Sequence, residues 1–153
     1  MSKLHELFEH GQSIWFDFIR RSFTREGKLK ALVDDGVRGI TSNPTIFQKA
    51  IAGSNDYDED LQKLVKAGKS VSEVYESLAV TDIQEAADVL RPVYDQSEGL
   101  DGYVSLEVSP TLARETQKTI DEAVRLYEWV ARPNLMIKVP ATPEGIPAIA
   151  ELI

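Results

Sequence analysis

The sequence contains no cysteine among its 153 residues. Disulfide bonds and metal sites built from thiolates are therefore excluded, and the composition fits a reducing compartment without proving one. Long apolar runs are also absent, and none approaches the roughly 18 residues that a membrane-spanning helix needs. The opening stretch, MSKLHELFEHGQ, is too polar for a secretory signal peptide. A cytoplasmic protein is therefore expected.

Positive charge is scarce, because 17 Lys and Arg residues face 25 Asp and Glu residues, giving a net charge of -8. This balance argues against nucleic acid or an anionic membrane as a partner. A phosphorylated small molecule remains compatible, since a few locally placed cations are enough to bind it. The hydrophobic fraction of 42% is ordinary for a globular protein of this length. The composition thus predicts one domain with a sizeable core.

Strands and helices are predicted to alternate along the chain. The strand patterns cover residues 13–19, 37–43, 101–108 and 135–142. Helical patterns cover residues 3–10, 27–36, most of 44–99, 109–132 and 143–153. The last three strands end in Asn43-Pro44, Ser109-Pro110 and Thr142-Pro143, each a helix-capping residue followed by proline. This alternation is typical of a parallel α/β architecture.

Two helical stretches carry more specific expectations. The spacing of Ile120, Val124, Tyr127 and Val130 predicts that these side chains form the buried stripe of the 109–132 helix. Within residues 44–99, a separate helix is predicted around residues 83–93, with Pro92 near its end.

The strands divide into two faces of different character, because successive side chains point to opposite sides. The apolar face comprises Ile14, Phe16, Phe18, Ile40, Val104, Leu106, Val108, Leu135, Ile137 and Val139. The other face carries polar residues toward the carboxyl ends of the strands: Asp17, Thr41, Asn43, Ser105, Glu107 and Lys138. A barrel accounts for this division, with helices outside and the polar residues at the carboxyl mouth. The alternative, a doubly wound open sheet, would cover both faces with helices and gain nothing from a polar one.

Lys138 interrupts the apolar strand NLMIKVPAT. Burial of a lysine favours its neutral amine, which can attack a carbonyl group and form a Schiff base. The protonated imine then permits cleavage of a neighbouring carbon–carbon bond, with carboxylates moving the protons. A nearby Asp17 or Glu107 would instead favour the ammonium form, and the sequence leaves open which effect dominates. Structural alternatives also remain: Asp17 as a strand-end cap, Asn43 as a helix cap, and Glu107 as a purely structural partner of Lys138.

Three stretches in order, GITSNPTIF, DGYVSLEVSP and NLMIKVPAT, resemble the transaldolases, and SIWFDFIRR resembles the longer bacterial type. The resemblance implies a (β/α)8 TIM barrel. Residues 1–153 would then be the N-terminal portion of a single barrel domain, covering about the first four βα units as a half-barrel. It also implies a transferase that moves a dihydroxyacetone unit between sugar phosphates in the pentose phosphate pathway, without a cofactor or a metal.

The resemblance further implies a role for each candidate residue. Lys138 would be the Schiff-base lysine, and Asp17 would take the proton of the substrate's C4 hydroxyl during cleavage. Glu107 would act as acid and base through a catalytic water. Three residues would bind the substrate: Asn43, which would hold the dihydroxyacetone unit, and its neighbours Thr41 and Ser105. The implied substrates are fructose 6-phosphate, sedoheptulose 7-phosphate, erythrose 4-phosphate and glyceraldehyde 3-phosphate.

Transaldolases continue for four more strands, which carry further substrate-binding residues, including arginines for the phosphate. We therefore expect the isolated fragment to be inactive, or to need self-association or a complementing C-terminal half. Two alternatives stay open. A class I aldolase would use the same lysine chemistry, whereas a catalytically incomplete half-barrel would act only through association.

Overall fold

Four parallel strands alternate with helices over residues 2–153, which are the residues that the computed structural model describes. The strands are β1 (Trp15–Phe16), β2 (Gly39–Ile40), β3 (Tyr103–Glu107) and β4 (Leu135–Lys138). The helices are α1 (Lys3–Glu9), α2 (Arg21–Arg25), α3 (Lys28–Asp35), α4 (Pro44–Ala52), α5 (Asp58–Lys66), α6 (Val71–Gln96), α7 (Thr116–Val130) and α8 (Gly145–Leu152). A short 3-10 turn, Pro110–Leu112, lies between β3 and α7.

The strands form one sheet in the order β1-β2-β3-β4, and every neighbouring pair is parallel. The predicted parallel α/β architecture is therefore confirmed, although each strand is shorter than its sequence pattern. Ile40 and Val104 are paired in register and buried, as is Leu135 beside them on β4. Their face packs against the helices as predicted, which leaves the opposite face free for polar side chains.

The longest helix, α6, forms the centre of the core. Its buried stripe includes Leu78, Ile83, Ala86 and Leu90, and it packs mainly against β3. The prediction of a separate helix around residues 83–93 is wrong, because one continuous helix of 26 residues contains Pro92. Neither α6 nor any other helix within residues 2–153 is both long and apolar enough to cross a membrane.

Helix α7 differs from its prediction in both start and orientation. Pro110 opens the 3-10 turn rather than a long helix, and α7 begins at Thr116. The buried stripe is Thr119, Ala123, Leu126 and Val130. Val124 and Tyr127 are exposed instead and border an apolar groove of about 720 Å³ beside β4 and α8. Packing on α8, β4 and α6 sets the buried face of α7, while Val124 and Tyr127 line the groove beside β4.

A buried ion pair connects the segment after β1 to α6. Arg21 Nε donates to Asp82 Oδ1 at 2.8 Å, and the Tyr57 hydroxyl donates to Asp82 Oδ2 at 2.7 Å. Arg21 also donates to Asp60 Oδ2 at 2.7 Å. Burial raises the pKa of the Asp82 carboxyl, an effect that the bonds from Tyr57 and Arg21 oppose. Three helices, α2, α5 and α6, are thereby held together around one guanidinium group.

The N-terminus of α6 is closed by a capping box. Ser70 Oγ accepts a hydrogen bond from the Glu73 amide at 3.3 Å, and Glu73 Oε2 accepts one from the Ser70 amide at 2.8 Å. The backbone and side-chain hydrogen bonds from Ser70, followed by those from Lys69, lower the pKa of Glu73 from 4.5 to about 2. The carboxylate of Glu73 is thus favoured strongly by the folded state.

We expect the variant Glu73→Gln to be less stable than the native chain at neutral pH and to lose this difference in acid. A carboxylate whose pKa is lowered by folding contributes stability above its unfolded value, and this contribution is lost as the pH falls through the folded value. The difference in unfolding free energy should therefore shrink from about pH 4.5 to about pH 2. Urea unfolding of both chains at several pH values measures it. A difference that stays constant down to pH 2 would contradict the assignment.

Candidate active site

The residues of the polar face lie in levels along the four strands. Trp15, Gly39 and Tyr103 are in register at one level, and a Cβ atom on Gly39 would lie 2.4 Å from the Trp15 ring. Glycine at this position therefore leaves space for the Trp15 indole to lie against β2. Asp17 and Thr41 lie two positions beyond Trp15 and Gly39 along the chain. Glu107 and Lys138, the catalytic candidates, lie at the carboxyl ends of β3 and β4.

Lys138 and Glu107 are directly paired across β3 and β4. Lys138 Nζ lies 3.1 Å from Glu107 Oε2 and donates a second hydrogen bond to the Ser42 carbonyl oxygen at 2.9 Å. The Lys138 side chain is 41% exposed. Within residues 2–153, β4 is an edge strand of the sheet, and Met136 on the same face is also exposed. The amine thus has one carboxylate and one main-chain carbonyl as its hydrogen-bonding neighbours.

Asp17 is held by a different neighbour. The hydroxyl of Thr41 donates to Asp17 Oδ1 at 2.5 Å, and the Thr41 amide donates to the Phe16 carbonyl at 3.1 Å. The carboxylate is exposed and has a second oxygen for proton transfer. Asp17 follows β1 whereas Lys138 ends β4, so these two candidates belong to opposite edges of the four-stranded sheet.

Asn43 and Ser105 have contrasting environments. Asn43 Oδ1 accepts a hydrogen bond from the Ile46 amide at 3.0 Å and caps α4, as the structural alternative predicted. Its amide nitrogen still supplies two donors. Ser105 is buried, and its hydroxyl has no hydrogen-bond partner among residues 2–153. Because buried hydroxyls are nearly always paired, Ser105 is an exception among the buried polar groups of these residues.

The sequence did not identify two residues that lie near Lys138 and Glu107. Ser42 is fully buried, and its hydroxyl donates to the Ser105 carbonyl at 2.6 Å. Strand alternation assigned Ser42 to the outward face, and a backbone carbonyl has no signature in a sequence. Tyr75 of α6 borders Glu107 in a cavity of about 130 Å³. Burial, with Glu107 and Glu76 adding to it, raises the pKa of Tyr75 to about 12. In the sequence, the run of three polar residues at 41–43 was the only feature that pointed to Ser42 as a site residue.

The arrangement combines a nucleophile with groups that can move protons. The amine of Lys138 lies within proton-transfer distance of Glu107, and a second carboxylate, Asp17, is held at the same mouth. Within residues 2–153, His, Asp and Glu side chains form no cluster of three or more that would hold a metal ion. An amine beside a carboxylate is the combination that imine formation on a carbonyl substrate requires.

The sequence pattern of the transaldolase/fructose-6-phosphate aldolase family matches residues 14–153. The chain belongs to this family. A transaldolase from Trichodesmium erythraeum is 52% identical over 151 residues, covering 98% of the chain, and one from Thermobifida fusca is 51% identical over 149 residues, covering 97%. A protein of Nostoc punctiforme named transaldolase 2 is 50% identical over 151 residues, covering 98%. The chain spans 40% of the length of each of these relatives.

Membership confirms the resemblance and the fold class. The transaldolase family is a (β/α)8 barrel, and the four parallel strands of this chain match the first half of such a barrel. The polar face of the sheet is then the lumen, and its carboxyl end is the side where barrels carry their sites. The roles of six residues stay predictions: Lys138, Asp17, Glu107, Asn43, Thr41 and Ser105.

Proposed function

We propose that the protein carrying this chain transfers a dihydroxyacetone unit from a ketose phosphate to an aldose phosphate through a Schiff base on Lys138. The observation that carries the proposal is the position of Lys138 Nζ, 3.1 Å from Glu107 Oε2 at the carboxyl ends of paired strands. Membership of the family and the names of the relatives support the reaction type. Glu107 can take a proton from the ammonium, which leaves the neutral amine that the reaction needs.

Imine formation uses Lys138 and Glu107. The amine nitrogen attacks the ketose C2 carbonyl carbon, the electron pair of the carbonyl π bond moves to the oxygen, and a proton passes from the nitrogen to that oxygen, which gives a neutral carbinolamine. Protonated Glu107 then donates to the hydroxyl, water leaves, and the nitrogen lone pair forms the protonated imine. The transfer runs directly between the paired groups or through the catalytic water that the resemblance implies. Hydrolysis of the imine reverses these steps with Glu107 as the base.

Asp17 has a separate role in the proposal, as the base in carbon–carbon cleavage. Its carboxylate takes the proton of the C4 hydroxyl, the C3–C4 bond breaks, and the electron pair moves to the imine nitrogen, giving an enamine. The shortened aldose leaves, and the enamine carbon attacks the aldehyde of an acceptor aldose while Asp17 returns the proton. The hydroxyl of Thr41 donates to Asp17 at 2.5 Å. This hydrogen bond orients the Asp17 carboxylate, which supports a role for Asp17 as the base. The protonated imine is itself the electron sink, so the steps need no cofactor or metal.

The remaining candidates would contact the substrate. The amide donors of Asn43 and the hydroxyl of Ser105, which has no partner among residues 2–153, would bond to the hydroxyl groups of the dihydroxyacetone unit. The donors we propose are fructose 6-phosphate and sedoheptulose 7-phosphate, and the acceptors are erythrose 4-phosphate and glyceraldehyde 3-phosphate. The setting we propose is the pentose phosphate pathway in the cytoplasm.

A class I aldolase activity is the second candidate, because the family description also includes fructose-6-phosphate aldolase. In that reaction the enamine would be protonated by water or Glu107, and free dihydroxyacetone would be released after hydrolysis. The same residues serve both reactions up to the enamine. The fate of the enamine therefore separates the two candidates.

We expect borohydride reduction in the presence of fructose 6-phosphate to attach a stable adduct to Lys138, located by peptide mass spectrometry. An adduct on any other lysine would sink the mechanism. Where turnover is measurable, stimulation of glyceraldehyde 3-phosphate release by erythrose 4-phosphate indicates transfer, and release of free dihydroxyacetone without it indicates an aldolase. Because the chain spans 40% of its relatives' length, we expect trapping without normal turnover from the 153 residues alone. Size-exclusion chromatography of the same sample shows whether copies associate.

A further inference from the structure

The amine of Lys138 has two acceptors, and one of them is a buried main-chain carbonyl. Lys138 Nζ donates to the Ser42 carbonyl oxygen at 2.9 Å and lies 3.1 Å from Glu107 Oε2. We propose that Ser42 is a positioning residue, whose carbonyl oxygen and hydroxyl together aim the Lys138 amine at the substrate. The effect of Ser42 on catalysis rests on the proposed function, in which Lys138 forms the Schiff base. The positioning itself is a property of the folded chain.

The direction of the amine follows from the geometry at nitrogen. A lysine nitrogen is tetrahedral, with one bond to Cε and three further directions. In the neutral amine two of these directions carry N–H bonds and the third carries the lone pair. When the two N–H bonds point to Ser42 and Glu107, the lone pair is confined to the one remaining direction, which these two contacts fix. A nucleophile oriented before the substrate arrives needs less reorganisation to reach the attacking geometry.

The Ser42 carbonyl is fixed by bonds on both sides of it. Ser42 is fully buried, and its hydroxyl donates to the Ser105 carbonyl of β3 at 2.6 Å. On one side, Thr41 is bonded to Asp17 and to the backbone of β1. On the other, Asn43 caps α4. Three consecutive side chains thus bond to three different elements, so the peptide between them has little freedom to turn its oxygen away from Lys138.

The variant Ser42→Ala tests this role, because it removes the bond to β3 and keeps the carbonyl. Two readouts on the full 153-residue chain apply. The first is borohydride trapping with fructose 6-phosphate, whose rate at Lys138 should fall about tenfold, the usual worth of one hydrogen bond. The second is hydrogen exchange of the Lys138 Nζ protons by NMR with ¹⁵N-labelled lysine. This exchange should become several-fold faster, since the protons lose a fixed acceptor.

Ser77→Ala is the matched control, because the Ser77 hydroxyl also donates to a main-chain carbonyl, that of Glu73 in α6, at 2.6 Å. Both readouts should stay within about twofold of the native chain in this control, in line with a lost surface hydrogen bond. If Ser42→Ala does not fold, Ser42→Cys keeps the volume with a weaker donor and takes its place. Ser42→Thr retains the hydroxyl and should restore both values.

The outcomes separate the two proposals. Slower trapping together with faster exchange in the Ser42 variant supports the positioning role. Unchanged exchange in that variant overturns it, whatever the trapping rate does, because the Ser42 hydroxyl is then not needed to hold the carbonyl that accepts from the amine. If the native chain traps no adduct at Lys138, the proposed function fails, and the exchange comparison still decides whether Ser42 holds the amine.

Discussion

Replacement of Lys138 by methionine is expected to abolish borohydride trapping completely. Methionine has a similar length and no amine, so the imine has no nitrogen from which to form. Glu107 and Asp17 do not substitute for it, because both are carboxylates and would only move protons in this reaction. Peptide mass spectrometry after reduction with fructose 6-phosphate measures the loss, which should exceed about a hundredfold if Lys138 is the covalent nucleophile.

The fold of this variant should be nearly unaffected. The Lys138 side chain is 41% exposed and its ion pair with Glu107 is open to solvent, and pairs of this kind contribute about 0–1 kcal/mol to stability. Lys66→Met, an exposed lysine at the end of α5, provides a control that should trap as the native chain does. An adduct that persists in Lys138→Met would reject Lys138 as the nucleophile, and a parallel loss of thermal stability would show that unfolding caused the effect.

Replacement of Arg21 by methionine is expected to give the largest loss of stability. The side chains of Arg21 and Asp82 are 3% and 1% exposed, so the variant leaves a carboxylate buried without its cation. Such a change costs about 3–5 kcal/mol. For a domain of this size, that corresponds to a fall in the melting temperature of roughly 10 °C. Urea unfolding followed by circular dichroism gives the free energy of unfolding directly.

Arg25→Met is a closely matched control. Arg25 lies in the same helix, α2, and pairs with Glu85 of α6 at 2.6 Å, but its side chain is 53% exposed. This pair should be worth about 0–1 kcal/mol, because solvent screens it. Equal losses in the two variants would mean that burial of the Arg21 pair has no energetic consequence. The double variant Arg21→Met with Asp82→Leu should recover part of the loss, since no unpaired charge then remains buried.

The architecture and the main candidates were predictable because their signals are local. Gly36 ends α3 in a left-handed conformation, and Asn43 with Pro44 opens α4 as expected. Alternation along β3 and β4 placed Glu107 and Lys138 on one face, and their register makes them neighbours. These features depend on a residue and its immediate surroundings in the chain, which a sequence displays directly.

The errors arise where distant segments decide the outcome. The stripe of Val124 and Tyr127 satisfies helical spacing, but contacts with β4 and α6 bury the neighbouring stripe of Ala123 and Leu126 instead. The contacts of Ser42 with β3 and with Lys138 are equally non-local, and the sequence did not predict them.

The three polar residues that follow β2 also have a consequence for the order of folding. Thr41 bonds to a residue 24 positions away, and Ser42 bonds to residues 63 and 96 positions away. Contacts of such large sequence separation require long loops to close and are slow to form. The Lys138 amine therefore acquires its two acceptors only after β2, β3 and β4 have come together. Adduct formation at this lysine would then serve as a chemical reporter that the last and least local contacts of the sheet are in place.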